Sequence, residues 1–101
     1  MVNTPPMQST KLQNMSEKDL FITYGKTKDV ELRNTIVQKY VPLLKSIVNK
    51  MQPLIPPVIE VDDAFGYGAL GLIDAIDKYN PEQSFQFTTY ATYRIRGAII
   101  D

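Results

Sequence analysis

Between Phe85 and Arg96 the chain sets four aromatic rings, Phe85, Phe87, Tyr90 and Tyr93, among the hydroxyls of Thr88 and Thr89 and the guanidinium groups of Arg94 and Arg96. Rings beside arginines suit single-stranded nucleic acid. Any base can stack on an aromatic face, at about 1–3 kcal/mol, while a guanidinium meets phosphate. Helical spacing puts Tyr93 with Arg96, and Tyr90 with Arg94, on shared faces. Composition alone leaves a second reading open, in which the same rings are the buried entrance of a helix. A carboxylate pair, Asp62 and Asp63, forms the next candidate. Adjacent side chains diverge by about 100° on a helix, and the oxygen-rich loop that a hard cation requires is missing, so no metal site is expected. The glycines Gly66, Gly68 and Gly71 have a dinucleotide-like spacing. They follow no strand and fall within a helical pattern, which excludes a phosphate cradle. Each costs roughly 0.5–1 kcal/mol relative to alanine in a helix, a penalty that makes sense where another helix approaches closely.

The absent residue types narrow the chemistry further. The 101 residues include no His and no Cys. Histidine- and cysteine-based nucleophilic catalysis is therefore excluded, along with most transition-metal ligation, and neither an enzyme nor a cofactor is expected. The lack of cysteine fits a reducing, cytoplasmic setting. No run of 18 apolar residues exists, and the start of the chain has no targeting pattern, so no membrane association is expected. At this length the chain forms one domain with one core. The net charge is zero but unevenly spread: residues 1–51 carry eight basic and four acidic groups, whereas residues 52–79 carry five acids (Glu60, Asp62, Asp63, Asp74, Asp77) and only Lys78. That acidic segment offers a surface to a basic partner.

The elements that would position these groups are all helical. Met1–Met15, rich in Pro, Asn and Gln, reads as a disordered arm preceding a domain over residues 16–101. Ser16 with Asp19 offers a capping box for a short helix ended by Gly25. Asp29 opens a second helix with the stripe Leu32, Ile36, Tyr40, Leu43, Ile47 and Met51, in which Pro42 predicts a kink or break near Val41. The prolines at 53, 56 and 57 predict extended chain over residues 52–59. Asp62 or Asp63 would cap a third helix with the stripe Phe65, Leu72, Ile76 and Tyr79. Residues 80–84 form a turn, and Thr88 or Thr89 would cap a last helix through Tyr93, Ile95 and Ile99. That helix reads as cut within its length. The fold class is all-α, a small bundle of about four helices.

The stretch Val61 to Tyr79, followed by Phe85 to Asp101 with its ending Tyr90-Ala91-Thr92-Tyr93-Arg94-Ile95-Arg96-Gly97-Ala98-Ile99-Ile100-Asp101, closely resembles region two of bacterial RNA polymerase sigma factors. The ending looks like the flagellar and motility branch, and Tyr40-Val41-Pro42-Leu43-Leu44 resembles the helix that opens this region. The resemblance covers roughly Asp29 to Asp101. It implies that the third helix docks on the clamp helices of the largest subunit of core RNA polymerase, with Asp62, Asp63 and Tyr67 in contact and Leu72 or Ile73 as an apolar anchor. It also implies that Phe85, Phe87, Thr89, Tyr90 and Tyr93 help melt the minus-ten promoter element and hold the non-template strand, beside Arg94 and Arg96. Arg94 stands where primary factors place a second aromatic wedge. An anti-sigma protein is a further partner the resemblance allows. Two departures stand out. Glu82-Gln83-Ser84-Phe85-Gln86-Phe87 replaces a turn that usually carries Arg-Gly and Lys, and the sequence stops before the part of the last helix that reads the minus-ten sequence. These departures support an alternative, a stand-alone or split polymerase-binding module without promoter recognition.

Overall fold

The computed structural model describes residues 15–100, and the arm assigned to Met1–Met15 lies outside that range except for Met15. Four α-helices follow in order: α1 (Glu17–Thr27), α2 (Val30–Met51), α3 (Val61–Lys78) and α4 (Phe87–Ile100), with a 3-10 turn over Gln52–Leu54. There is no strand among the described residues, so the all-α expectation holds.

Local chemistry starts two of the helices as the sequence predicts. The Ser16 hydroxyl accepts the Asp19 backbone N–H at 3.1 Å, and the Asp29 carboxylate accepts that of Leu32 at 3.2 Å. Each satisfies one of the N–H groups that a helix start leaves without a partner. The other two starts differ from expectation. Glu60 caps α3 with no side-chain hydrogen bond, and Asp62 and Asp63 lie inside its first turn, where their charge meets the positive end of the helix dipole. Likewise α4 begins at Phe87, one residue before Thr88, and the Tyr90 N–H reaches the Gln86 carbonyl at 3.2 Å.

Gly25 does not end α1. The helix continues to Thr27 and stops at Lys28, whose φ of 51° is left-handed and whose N–H donates to the Tyr24 carbonyl at 2.7 Å. Lysine rarely adopts that conformation unaided. Here tertiary contacts hold it: Lys28 Nζ donates to the Asp77 carbonyl at 3.0 Å and lies 4.9 Å from the centre of the Tyr24 ring. Pro42 also fails to interrupt α2, which runs continuously around it. It sits on the exposed side of the helix, where water can hydrate the carbonyl that it leaves unpaired. The proline-rich stretch is not wholly extended either, since its first residues form the 3-10 turn.

One apolar core joins the helices. Leu20, Phe21 and Tyr24 enter it from α1; Leu32, Ile36, Tyr40, Leu44, Ile47, Val48 and Met51 from α2. In α2 the buried register thus passes through Leu44, while Leu43 is only partly covered. From α3 come Ala64, Leu72, Ala75 and Ile76, with Phe65 and Tyr79 at the margin, and α4 supplies Phe87, Ala91, Ile95 and Ile99. α3 packs most extensively on α4 and next on α2. Glycine makes the first of these contacts possible. A Cβ on Gly71 would stand 2.8 Å from the Arg94 carbonyl oxygen and 3.0 Å from the Ile95 Cα, so the two backbones touch there. At Gly68 the neighbours are instead side-chain ends, Leu44 Cδ1 at 2.7 Å first, and at Gly66 nothing among the described residues lies within 4 Å. Close packing thus explains Gly71 and Gly68, but not Gly66.

Candidate functional site

The outward face of α3 follows the helical repeat from Asp63 through Tyr67, Leu70 and Asp74 to Asp77. Asp62, Asp63, Tyr67 and Leu70 are exposed, and Leu70, 66% exposed, is the most open large apolar residue of this helix. The resemblance implies Leu72 or Ile73, not Leu70, as the apolar anchor. Ile73 is half-buried, and Leu72 is fully buried in the core, so Leu72 cannot anchor a partner without unfolding its surroundings. The signal that could have found Leu70 is its register: it lies three residues from Tyr67 and seven from Asp63, whereas Leu72 shares its face with Ala75 and Ile76.

The aromatic residues separate into three tiers. Phe87 is 1% exposed and packs in the core with ring centroids 4.5 Å from Phe21, 4.8 Å from Tyr40 and 5.2 Å from Tyr79. Phe87 therefore cannot be a stacking platform in this fold; it supports the others. Above it, Phe85 and Tyr90 lie 5.7 Å apart, both 6.1 Å from Tyr79, which also donates its hydroxyl hydrogen to the Phe85 carbonyl at 2.9 Å. Phe85 is partly exposed and Tyr90 half-buried, so each offers an edge or part of a face. Burial pushes the Tyr79 hydroxyl above its ordinary pKa, with the Glu17 carboxylate adding to the effect, so it remains a donor. The turn before α4 is tightened by the Asn80 side chain, which accepts the Glu82 N–H at 3.0 Å. Tyr93, at 74% exposed, stands apart from the stacked rings on the outer side of α4, three residues from the exposed Arg96. Thr89 is exposed in the first turn.

Arg94 is placed differently from Arg96. It crosses to α3 and pairs with Asp74, whose other carboxylate oxygen is 2.9 Å from Lys78 Nζ. Lys78, then Arg94, holds the Asp74 carboxyl below its ordinary pKa, and Asp74 in turn raises that of Arg94. Between α3 and α4 an open groove brings Leu70 and Asp74 opposite Tyr93, Arg96, Gly97 and Ile100. Among the described residues no group of three or more His, Cys, Asp or Glu could hold a metal, and no helix is long and apolar enough to cross a membrane. The geometry provides two adjoining surfaces, one acidic and apolar on α3, the other aromatic and cationic on α4.

Comparison with known proteins gives this arrangement a family. Residues 36–101, which include most of α2 and all of α3 and α4, match the family model for sigma-70 region 2. The chain is 35% identical over 88 residues to the RNA polymerase sigma-D factor of Bacillus subtilis, a match spanning 87% of this chain and 35% of that protein. It is 41% identical over 69 residues to the RNA polymerase sigma factor FliA of Yersinia enterocolitica, covering 68% of this chain and 30% of the relative. For the FliA factor of Escherichia coli K12 the identity is 39% over the same length, with 68% and 29% covered. The chain thus spans about a third of the length of the curated relatives it matches. The matched region contains both surfaces and the glycine contact that sets them side by side, and the chain belongs to the sigma-70 region 2 family.

Proposed function

We propose that this chain is the part of a transcription initiation factor that docks on core RNA polymerase through the outer face of α3 and holds displaced promoter strand on the outer face of α4. The observation that carries the reading is the pairing of two exposed surfaces of opposite character on helices that touch at Gly71. Asp62 and Asp63 supply charge toward a basic coiled coil, with Tyr67 and Leu70 as the central apolar contacts and Ile73 at the edge. On α4, Tyr93 is the stacking platform, Tyr90 and Phe85 border it, and Thr89 and Arg96 provide polar and cationic contacts. The chain carries no net charge, so strand binding by the isolated domain is weak, and polymerase supplies much of the positioning.

The test reverses the charge at Asp62 and Asp63 to Lys and measures association with core polymerase across a salt series. Weaker binding is expected, with the largest loss at low ionic strength, where charge is least screened. Equal affinity for parent and double variant at every salt concentration would remove the docking argument.

A further inference from the structure

Of the two arginines on α4, Arg96 is exposed and has no ion-pair partner among the described residues, whereas Arg94 lies half-buried against Asp74 of the neighbouring helix. That carboxylate has two cations, Arg94 across the helix interface and Lys78 one turn along its own helix. The backbones are fixed close together one turn earlier, by the contact of Gly71 with the Arg94 carbonyl and Ile95. Asp74 therefore has little freedom to move away from Arg94 while the helices stay packed. A phosphate reaching Arg94 must compete with a carboxylate already in place. Tyr93, next in sequence, points outward beside the same groove and would bring a stacked base and its phosphate close to that pair.

We propose that Asp74 is a positioning residue that masks Arg94 in the free domain, so that the strand-binding surface has one cation fewer than its sequence suggests until a phosphate displaces the carboxylate. The proposal rests on the strand-holding role given above for α4 and adds a restraint on it. It accounts for a cation in a strand-binding segment that is turned toward an acid of the docking helix. It also links the surfaces, since the carboxylate that holds Arg94 stands on the same helix face as Tyr67 and Leu70.

The experiment measures binding of the full chain to a fluorescein-labelled single-stranded DNA oligonucleotide by anisotropy, from low to moderate salt. For D74N the affinity is expected to rise several-fold at low salt, and the slope of log K against log salt to steepen by about 0.7, the increment for one added phosphate contact on a single strand. D74E, which keeps the charge, should behave as the parent. Arg94→Ala should change little in the parent and should remove the gain in the D74N background, which separates Arg94 from the released Lys78. A purely structural role for Asp74 would alter melting without steepening the salt slope. If D74N binds no more tightly than the parent while Tyr93→Ala still weakens the parent, masking is wrong and the strand-holding reading stands. If neither chain binds the oligonucleotide even at low salt, masking falls, because release of Arg94 then adds no measurable contact, while the strand-holding reading, in which polymerase supplies the positioning, stands. Should D74N prove unfolded, Arg94→Ala in the parent decides: a loss of affinity there means that Arg94 already contacts the strand, and masking is overturned.

Discussion

Three glycines of α3, placed in one helix within six residues, should respond to the same substitution with different signs. Alanine in a helix interior gains about 0.5–1 kcal/mol over glycine from backbone entropy alone. At Gly66 an added methyl group meets nothing within 4 Å among the described residues, so Gly66→Ala should realise that gain. At Gly68 the methyl would come within 2.7 Å of Leu44 Cδ1 and 3.3 Å of Ile99 Cδ1, both ends of flexible side chains that can move, so the gain and the crowding roughly offset each other. At Gly71 it would lie 2.8 Å from the Arg94 carbonyl oxygen, 2.9 Å from the Ala98 Cβ and 3.0 Å from the Ile95 Cα, and backbone cannot step aside without separating the helices. Overpacking of this kind costs about 1–3 kcal/mol, which outweighs the propensity gain. For a domain of this size each kcal/mol moves the midpoint of melting by about 4–8 °C. Thermal and urea unfolding of the three variants should therefore order them Gly66→Ala above the parent, Gly68→Ala near it, and Gly71→Ala below it. If Gly71→Ala melts as high as Gly66→Ala, close backbone approach is not what glycine supplies at this position.

Leucine pairs give a second separation. Leu72→Ala should cost about 2–5 kcal/mol by leaving a cavity in the core, whereas exposed Leu70→Ala should leave urea stability within about 0.5 kcal/mol and weaken polymerase association. Tyr24→Phe removes the hydrogen bond to Asp77 and should lower urea stability by roughly 1 kcal/mol while leaving the far-ultraviolet dichroism of the folded domain unchanged. The carboxyl of Asp74, held low first by Lys78 and then by Arg94, contributes stability that is present above its unfolded pKa and lost as pH falls through the lower folded value. The urea midpoint should accordingly drop below about pH 4, less steeply in D74N, and a parent and D74N that lose stability in parallel would refute that assignment.

What the sequence made legible was local. Ser16 and Asp29 cap their helices because a short side chain needs only the next turn of backbone to do so, and the three- and four-residue spacing marked most of the buried positions of α2. Features decided by distant residues were not legible. Gly25 looked like a helix end, but Asp77, far along the chain, holds Lys28 in the left-handed turn three residues later. Pro42 predicts a kink or break, and α2 is unbroken there because the cost of a proline depends on which side of the helix faces water. Among the candidate residues, Asp62, Asp63, Tyr67, Tyr93 and Arg96 are exposed, as the proposed contacts require, and all but Tyr67, which the resemblance supplies, stand out by type and spacing. Leu72 and Phe87 were assigned contacts that their burial denies, since resemblance assigns a role to a position without its solvent exposure. The pairing of Arg94 with Asp74 depends on how two helices cross, which no single-helix pattern contains, whereas the exposure of Leu70 follows from its register with Asp63 and Tyr67.

The attachment of α1 sets the order in which the domain should come apart under native conditions. Phe21 joins the aromatic core, Tyr24 and Lys28 reach Asp77 at the end of α3, and the Tyr40 hydroxyl donates to Glu17. Beyond the core side chains Leu20, Phe21 and Tyr24, these ties are hydrogen bonds at the margin of the core, whereas α3 and α4 meet backbone to backbone. In native-state hydrogen exchange α1 should therefore form its own low-energy opening unit, its amides losing protection before those of α3 and α4. Its departure would uncover one side of Phe87 and Tyr79, the rings beneath Phe85 and Tyr90. Amide protection at the start of α4 would then follow the exchange of α1 more closely than that of its own C-terminal half.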